Sequence, residues 1–223
     1  MFQMAVEDDL LIVNPFDKLA GSGHYAQAWH EDTDDEFGRM MDHAHPDWKL
    51  MLGLCRYAGL RRGEALNLRW ENLDWNRHRL IIIANEEWRP KYRDSRTVPV
   101  MPELYPLLLE AFQNAKAGQE RIIEDTINDH NIFRDIHVLW KKASVVPWKK
   151  PLLTLRKTCL TRWARQFPQH VVKEWAGHAS VETTAQFYLK VGEEAYERAA
   201  GMMPQQNAEQ LPVAKGDKSG AAA

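Results

Sequence analysis

Only one part of the 223-residue chain reads as β structure. Leu80-Ile81-Ile82-Ile83 and Thr97-Val98-Pro99-Val100 are short apolar, β-branched runs on either side of a charged segment over 85–95, as a hairpin with a long loop would place them. A third strand fits over 71–75, and everything around these runs has helical periodicity. The pattern is compatible with a mostly helical α+β class with a small antiparallel sheet, three-stranded if 71–75 adds a strand. Helices are predicted from Asp34, where Phe37, Met40 and Met41 recur at i, i+3, i+4, and over 48–57 after a break at Pro46, with Gly59 as the cap that ends the second helix. A short helix follows over 62–68, and after Pro102 come helices over 103–115, 131–143, 154–167, 170–176, 183–190 and 193–202.

The length suffices for a hydrophobic core without staples. No run approaches the eighteen or so apolar residues of a membrane span, and the acidic N-terminus lacks the pattern of a signal peptide. Cys55 and Cys159 stand alone with no metal-ligand spacing, which predicts neither a disulfide framework nor a metal site and fits a reducing cytoplasm. Residues 1–33, with the Asn14-Pro15-Phe16 turn and the Gly21-Ser22-Gly23 stretch, read as the end of an interdomain linker. A globular domain is expected over 34–203, and 204–223 has too little apolar content to pack and is expected to be disordered.

The net charge of −2 hides an asymmetry. Residues 1–47 carry −9 and the remainder +7, and between Ile136 and Lys173 there are nine bases and no acid. A short charge run is usually a solvated face; a stretch of this length without a carboxylate points to an anionic partner.

No hydrolase, kinase or dinucleotide motif is present. Four other pieces occur in order. They are Tyr57-Ala58-Gly59-Leu60-Arg61-Arg62-Gly63-Glu64, then Lys91-Tyr92-Arg93-Asp94-Ser95-Arg96-Thr97-Val98-Pro99, then Leu153-Thr154-Leu155-Arg156-Lys157, then Gly177-His178 with Phe187-Tyr188 following. Together, over roughly residues 34–202, they resemble the catalytic domain of the tyrosine recombinases, the family of phage integrases and chromosome-dimer resolving enzymes.

That resemblance implies the architecture of the DNA breaking and rejoining enzymes and site-specific strand transfer through a 3′-phosphotyrosyl intermediate, without cofactor or metal. Attack on a phosphodiester adds negative charge to a group already charged, so cations must surround it beforehand, and arginine's planar fork suits phosphate oxygens. By resemblance Arg61 and Arg156 clamp the phosphate, Glu64 holds Arg61, Lys91 protonates the leaving 5′ oxygen, His178 assists, and Tyr188 is the nucleophile. Lys141, Lys142, Lys149, Lys150, Lys157 and Arg162 are candidates for contacts to the DNA backbone. Double-stranded DNA is the implied partner, with two to four copies assembling on it, in the cytoplasm at the nucleoid.

Taken alone, each residue has a plainer reading. The arginines are also ordinary surface residues, Glu64 is a favourable carboxylate at a helix start, and Lys91 has Arg89 and Arg93 as neighbours. His178 also suits a helix end, while Tyr188 suits a core and has Tyr196 as a rival. Trp163, Trp175 and Phe187 are read as core aromatics. The family's second arginine normally sits in His-x-x-Arg, but position 153 is Leu, which removes an acid–base group. The domain that usually precedes the catalytic one is also unaccounted for, so a catalytically impaired DNA-binding remnant, or a fragment of a longer product, is the competing expectation.

Overall fold

The computed structural model describes residues 29–85, 88–89, 95–124, 127, 130–179 and 182–188. The expected helix over 193–202, the 204–223 tail, the turn at Asn14, Lys91 and Tyr196 lie outside the described residues.

Helix α1 (Asp34–His43) begins where Thr33 and Glu36 form a reciprocal capping box and Asp34, Asp35 and Glu36 face the positive helix end. Its buried residues are Phe37 and Met40. Helix α2 (Pro46–Tyr57) starts at Pro46 itself, because the first helical position has no partner for its N–H and suits proline's fixed φ. Pro46 thus opens the helix rather than merely breaking the one before, and the same rule starts the later helix at Pro151 instead of 154. Helix α2 is buried from Leu50 through Arg56 and forms the axis of the core. It ends with Gly59 at φ +58, as expected for a left-handed cap, and the Leu60 N–H donates to the Leu54 carbonyl.

Helix α3 (Arg62–Leu66) follows at once, then a 3₁₀ turn (Trp70–Asn72) and strands β1 (Leu73–Asp74), β2 (Arg79–Ile83) and β3 (Ser95–Pro99). The sheet is antiparallel in the order β1-β2-β3, with Leu80 opposite Val98 and Ile82 opposite Arg96. Those four residues face inward, and the alternation leaves Ile81 and Ile83 exposed. The remaining helices are α4 (Tyr105–Gln113), α5 (Ile132–Lys142), α6 (Pro151–Gln166), α7 (Gln169–Ala176) and α8 (Glu182–Tyr188). Helix α6 packs along α2, α7 packs on β3, and α8 rests on both α6 and α7. Among the described residues no helix is long and apolar enough to cross a membrane.

Trp163 and Phe187 are core residues, and Trp175 is a half-buried partner of Trp163 and Phe167. Cys55 and Cys159 are buried thiols; burial pushes Cys55 up to about 12 and Cys159 in the same direction, which leaves neither as a nucleophile.

Residues 29–33, read from sequence as the end of a linker, pack on the helical domain. Asp32 is buried and accepts from Arg56 Nε at 2.5 Å, while Arg56 Nη2 donates to Asp34 at 2.9 Å. Arg162 donates to the same Asp34 oxygen at 2.6 Å. Trp29 meets Phe187 edge-on, with the Lys157 ammonium 4.5 Å from its own ring centroid. Part of the acidic N-terminal run is therefore a set of counter-charges for arginines on α2 and α6.

Candidate active site

Three segments meet at one carboxylate. Glu64 sits at the third position of α3, where it accepts the Arg61 backbone N–H at 2.7 Å and closes the helix start. The turn after Gly59 directs it inward, and it is 2% exposed. Arg61 Nη1 donates to Oε1 at 3.0 Å. The stronger partner is Arg96 from β3, whose two terminal nitrogens donate to the two Glu64 oxygens at 2.6 Å each. Arg156 Nη1 stands 3.8 Å from Oε2. Burial disfavours the ionised carboxyl, but Arg96, then Arg156 and the Arg61 backbone, outweigh it and hold Glu64 at about 2.

Arg156 lies in the second turn of α6 and is 3% exposed. It donates to the Gly59 carbonyl through Nη1 and to the Ala176 carbonyl through Nη2 at 2.6 Å, tying the end of α2 to the end of α7. Burial and the charges of Arg61 and Arg96, opposed by Glu64, push this guanidinium down to about 9, which leaves it charged at neutral pH. Arg61 is the more exposed of the two expected clamp residues.

His178 follows the left-handed Gly177 (φ +62) that ends α7, and it is buried. Its Nδ1 is 3.0 Å from Thr184 Oγ1 on α8, and its Nε2 is 3.5 Å from Arg156 Nη2. A guanidinium only donates, so Nε2 is the unprotonated nitrogen and Nδ1–H donates to Thr184. Burial, then Arg156, Arg61 and Arg96, drive the imidazole down to about 3, so it is neutral at physiological pH. The ring stacks on Phe187, which with Thr184 fixes α8 against the site.

The expected nucleophile, Tyr188, is the last residue of α8, one helical turn beyond Thr184; its side chain lies outside what is described. The loop of Lys91 springs from β2 and β3. Before it, Trp88 closes a turn with Asn85 and packs against Gly63 of α3.

Leu153, in place of the family's histidine, is 43% exposed in the first turn of α6. It lines an apolar cleft of about 230 Å³ with Phe133, Leu152, Arg62 and Lys150. The expected DNA contacts divide in two. Lys141, Lys142, Lys149 and Lys150 are exposed at the end of α5 and before α6. Lys157 and Arg162 are engaged inside the domain by Trp29 and Asp34. Arg96 and Thr184 had no role assigned from sequence, although the alternation of β3 already points position 96 inward with Val98.

Residues 33–194 match the family model described as the phage integrase family. The chain belongs to that family. A curated relative, the tyrosine recombinase XerC-like protein of Caldanaerobacter subterraneus subsp. tengcongensis, is 27% identical over 179 residues, covering 64% of this chain and 45% of the relative. The chain thus spans about half the length of that relative. Among solved structures, the Tn1549 transposon integrase in complex with transposon right end DNA shares the fold with a TM-score of 0.68 at 18% identity, covering 90% of this chain and 74% of that one. XerA recombinase gives 0.62 at 21% identity over 79% and 66%. The catalytic domain of bacteriophage HP1 integrase gives 0.55 at 20% identity over 82% of this chain and all of that one. These likenesses establish the mostly helical fold with its small antiparallel sheet.

Proposed function

We propose that this phage integrase family chain is the catalytic part of a site-specific DNA recombinase that cleaves and rejoins strands through a 3′-phosphotyrosyl intermediate. The observation that carries the reading is the charge of the site: three guanidiniums surround a single buried carboxylate, with a neutral histidine against one of them and the helix of Tyr188 docked on that histidine. The surplus positive charge suits a phosphodiester entering from the Arg61 side and the additional charge that builds as it is attacked.

In the forward step the Tyr188 phenol oxygen bonds to phosphorus as the bond to the 5′ oxygen breaks. The phenolic proton passes to the unprotonated Nε2 of His178, which gives up its contact with Arg156 to take it, and Lys91 gives a proton to the departing 5′ oxygen. Rejoining is the reverse, with a 5′ hydroxyl attacking the phosphotyrosine, so bond energy is conserved. Lys141, Lys142, Lys149 and Lys150 would follow the flanking phosphates, and two to four copies would assemble on paired DNA sites at the nucleoid.

The test is to express the chain with a plasmid library of randomised duplex inserts, strip non-covalent protein by denaturation, and sequence the DNA that stays attached. Wild type should yield a defined attached sequence and Tyr188→Phe none; equal recovery from both would refute the assignment. The second reading, a binding remnant without cleavage, is favoured by the apolar cleft at Leu153. It predicts DNA retention without adduct, and adduct appearing on Leu153→His.

A further inference from the structure

Arg96 does more than neutralise Glu64: carried on β3, it also bonds the start of α3 and the end of α7. Its Nη1 and Nη2 grip both oxygens of Glu64, 32 positions away, and its Nε donates at 2.9 Å to the Trp175 carbonyl in the last turn of α7. The side chain crosses directly beneath Gly177, where a Cβ would lie 2.8 Å from Arg96 Cδ. It is carried by β3, the strand that leads out of the Lys91 loop. With its side chain 3% exposed and each of its three nitrogens bonded within the protein, it has no face to offer a phosphate.

We propose that Arg96 is a positioning residue, whose fork locks the Glu64 carboxylate to the end of α7 and so holds Arg61 and His178 in a single arrangement. The chemistry supports a fork in particular. Lysine keeps the charge but cannot bond both carboxylate oxygens and the Trp175 carbonyl at once. A shift of about an ångström in a site of this kind typically lowers the rate by about 10²-fold. The effect on cleavage rests on the recombinase reading given above; the effect on His178 does not.

The experiment compares wild type with Arg96→Lys in the full chain by two readouts. The first uses no DNA: exchange of the His178 Nδ1–H proton, followed by NMR, which Thr184 protects while α7 and α8 stay in register. The expected result is exchange at least about tenfold faster in Arg96→Lys, with the backbone spectrum of the helices retained. The second is the rate of covalent adduct formation per folded molecule on the attached sequence recovered from the library. That rate should fall about 10²-fold while retention of the same duplex in a gel is unchanged. Gly177→Asn is the companion variant: asparagine tolerates the left-handed backbone, so its Cβ displaces Arg96 while the charge remains, and it should reproduce both losses. A merely structural Arg96 would lower the melting temperature and leave both readouts at wild-type values, which would overturn the proposal. If wild type forms no adduct, the recombinase reading fails while the proton-exchange result still decides the role of Arg96.

Discussion

Two clusters of arginine and carboxylate lie in this domain, and they differ in their stoichiometry of charge. Around Arg56, two arginines meet two aspartates: Arg56 bonds both Asp32 and Asp34, and Arg162 shares Asp34. Around Glu64, three arginines meet one carboxylate. Arg56 and Arg156 are both shielded from solvent, yet burial is overcome by Asp32 and Asp34 for Arg56, whose guanidinium rises above its ordinary value, while the more deeply set Arg156 is driven down to about 9 by burial and by its neighbouring arginines. A closed cluster has already found its anions. An open one still lacks an anion, and that deficit, more than the presence of arginines, is what supports the phosphate site proposed above.

The contrast can be broken by paired substitutions. Arg56→Met leaves Asp32 buried without its counter-charge and should cost about 3–5 kcal/mol in denaturant unfolding. Arg156→Met removes repulsion as well as hydrogen bonds, so its stability cost should be the smaller of the two, whereas adduct formation should fall by about 10²–10³-fold. Equal stability costs would remove the distinction between the clusters.

Acid sharpens it next. His178 is held at about 3 against an ordinary 6.5, so the unfolded chain binds its proton first; the stability gained by keeping the ring neutral is complete above pH 6.5 and drains as pH falls towards 3. Glu64 is held at about 2 against 4.5, so its contribution, about 3 kcal/mol, is complete above pH 4.5 and lost on the way to 2. The melting temperature should therefore begin to fall below pH 6.5, and His178→Gln should delay that fall until about pH 4.5. The smallest effect belongs to the rim of the closed cluster. Arg162→Ala breaks a pair whose aspartate is mostly exposed, and it should change stability by less than about 1 kcal/mol.

The hairpin was legible because two short β-branched runs flank a charged segment, and the helices because their apolar stripes repeat at the helical period. The start displaced to Pro46 followed from treating that proline as a break, when proline is equally a first helical residue, and Pro151 opens the later helix by the same rule. Arg61, Glu64, Arg156 and His178 could be named from motif and are brought together by the fold. Arg96 could not, since its partners lie at 64 and 175 and only tertiary packing reveals them; an arginine at an inward strand position was the one local sign. The pairing of Asp32 with Arg56 was hidden for the opposite reason. It lay within a run of acids that composition alone assigns to solvent.

The hydrogen bond from His178 to Thr184 gives the site a sense of timing. The imidazole keeps its proton on Nδ1 only while a hydroxyl from α8 is there to accept it, and α8 is the helix on which Tyr188 rides. Withdraw that helix and the lone pair on Nε2 loses its assigned place as position 188 leaves. Under the recombinase reading proposed above, the base and the group it serves would be armed together or not at all.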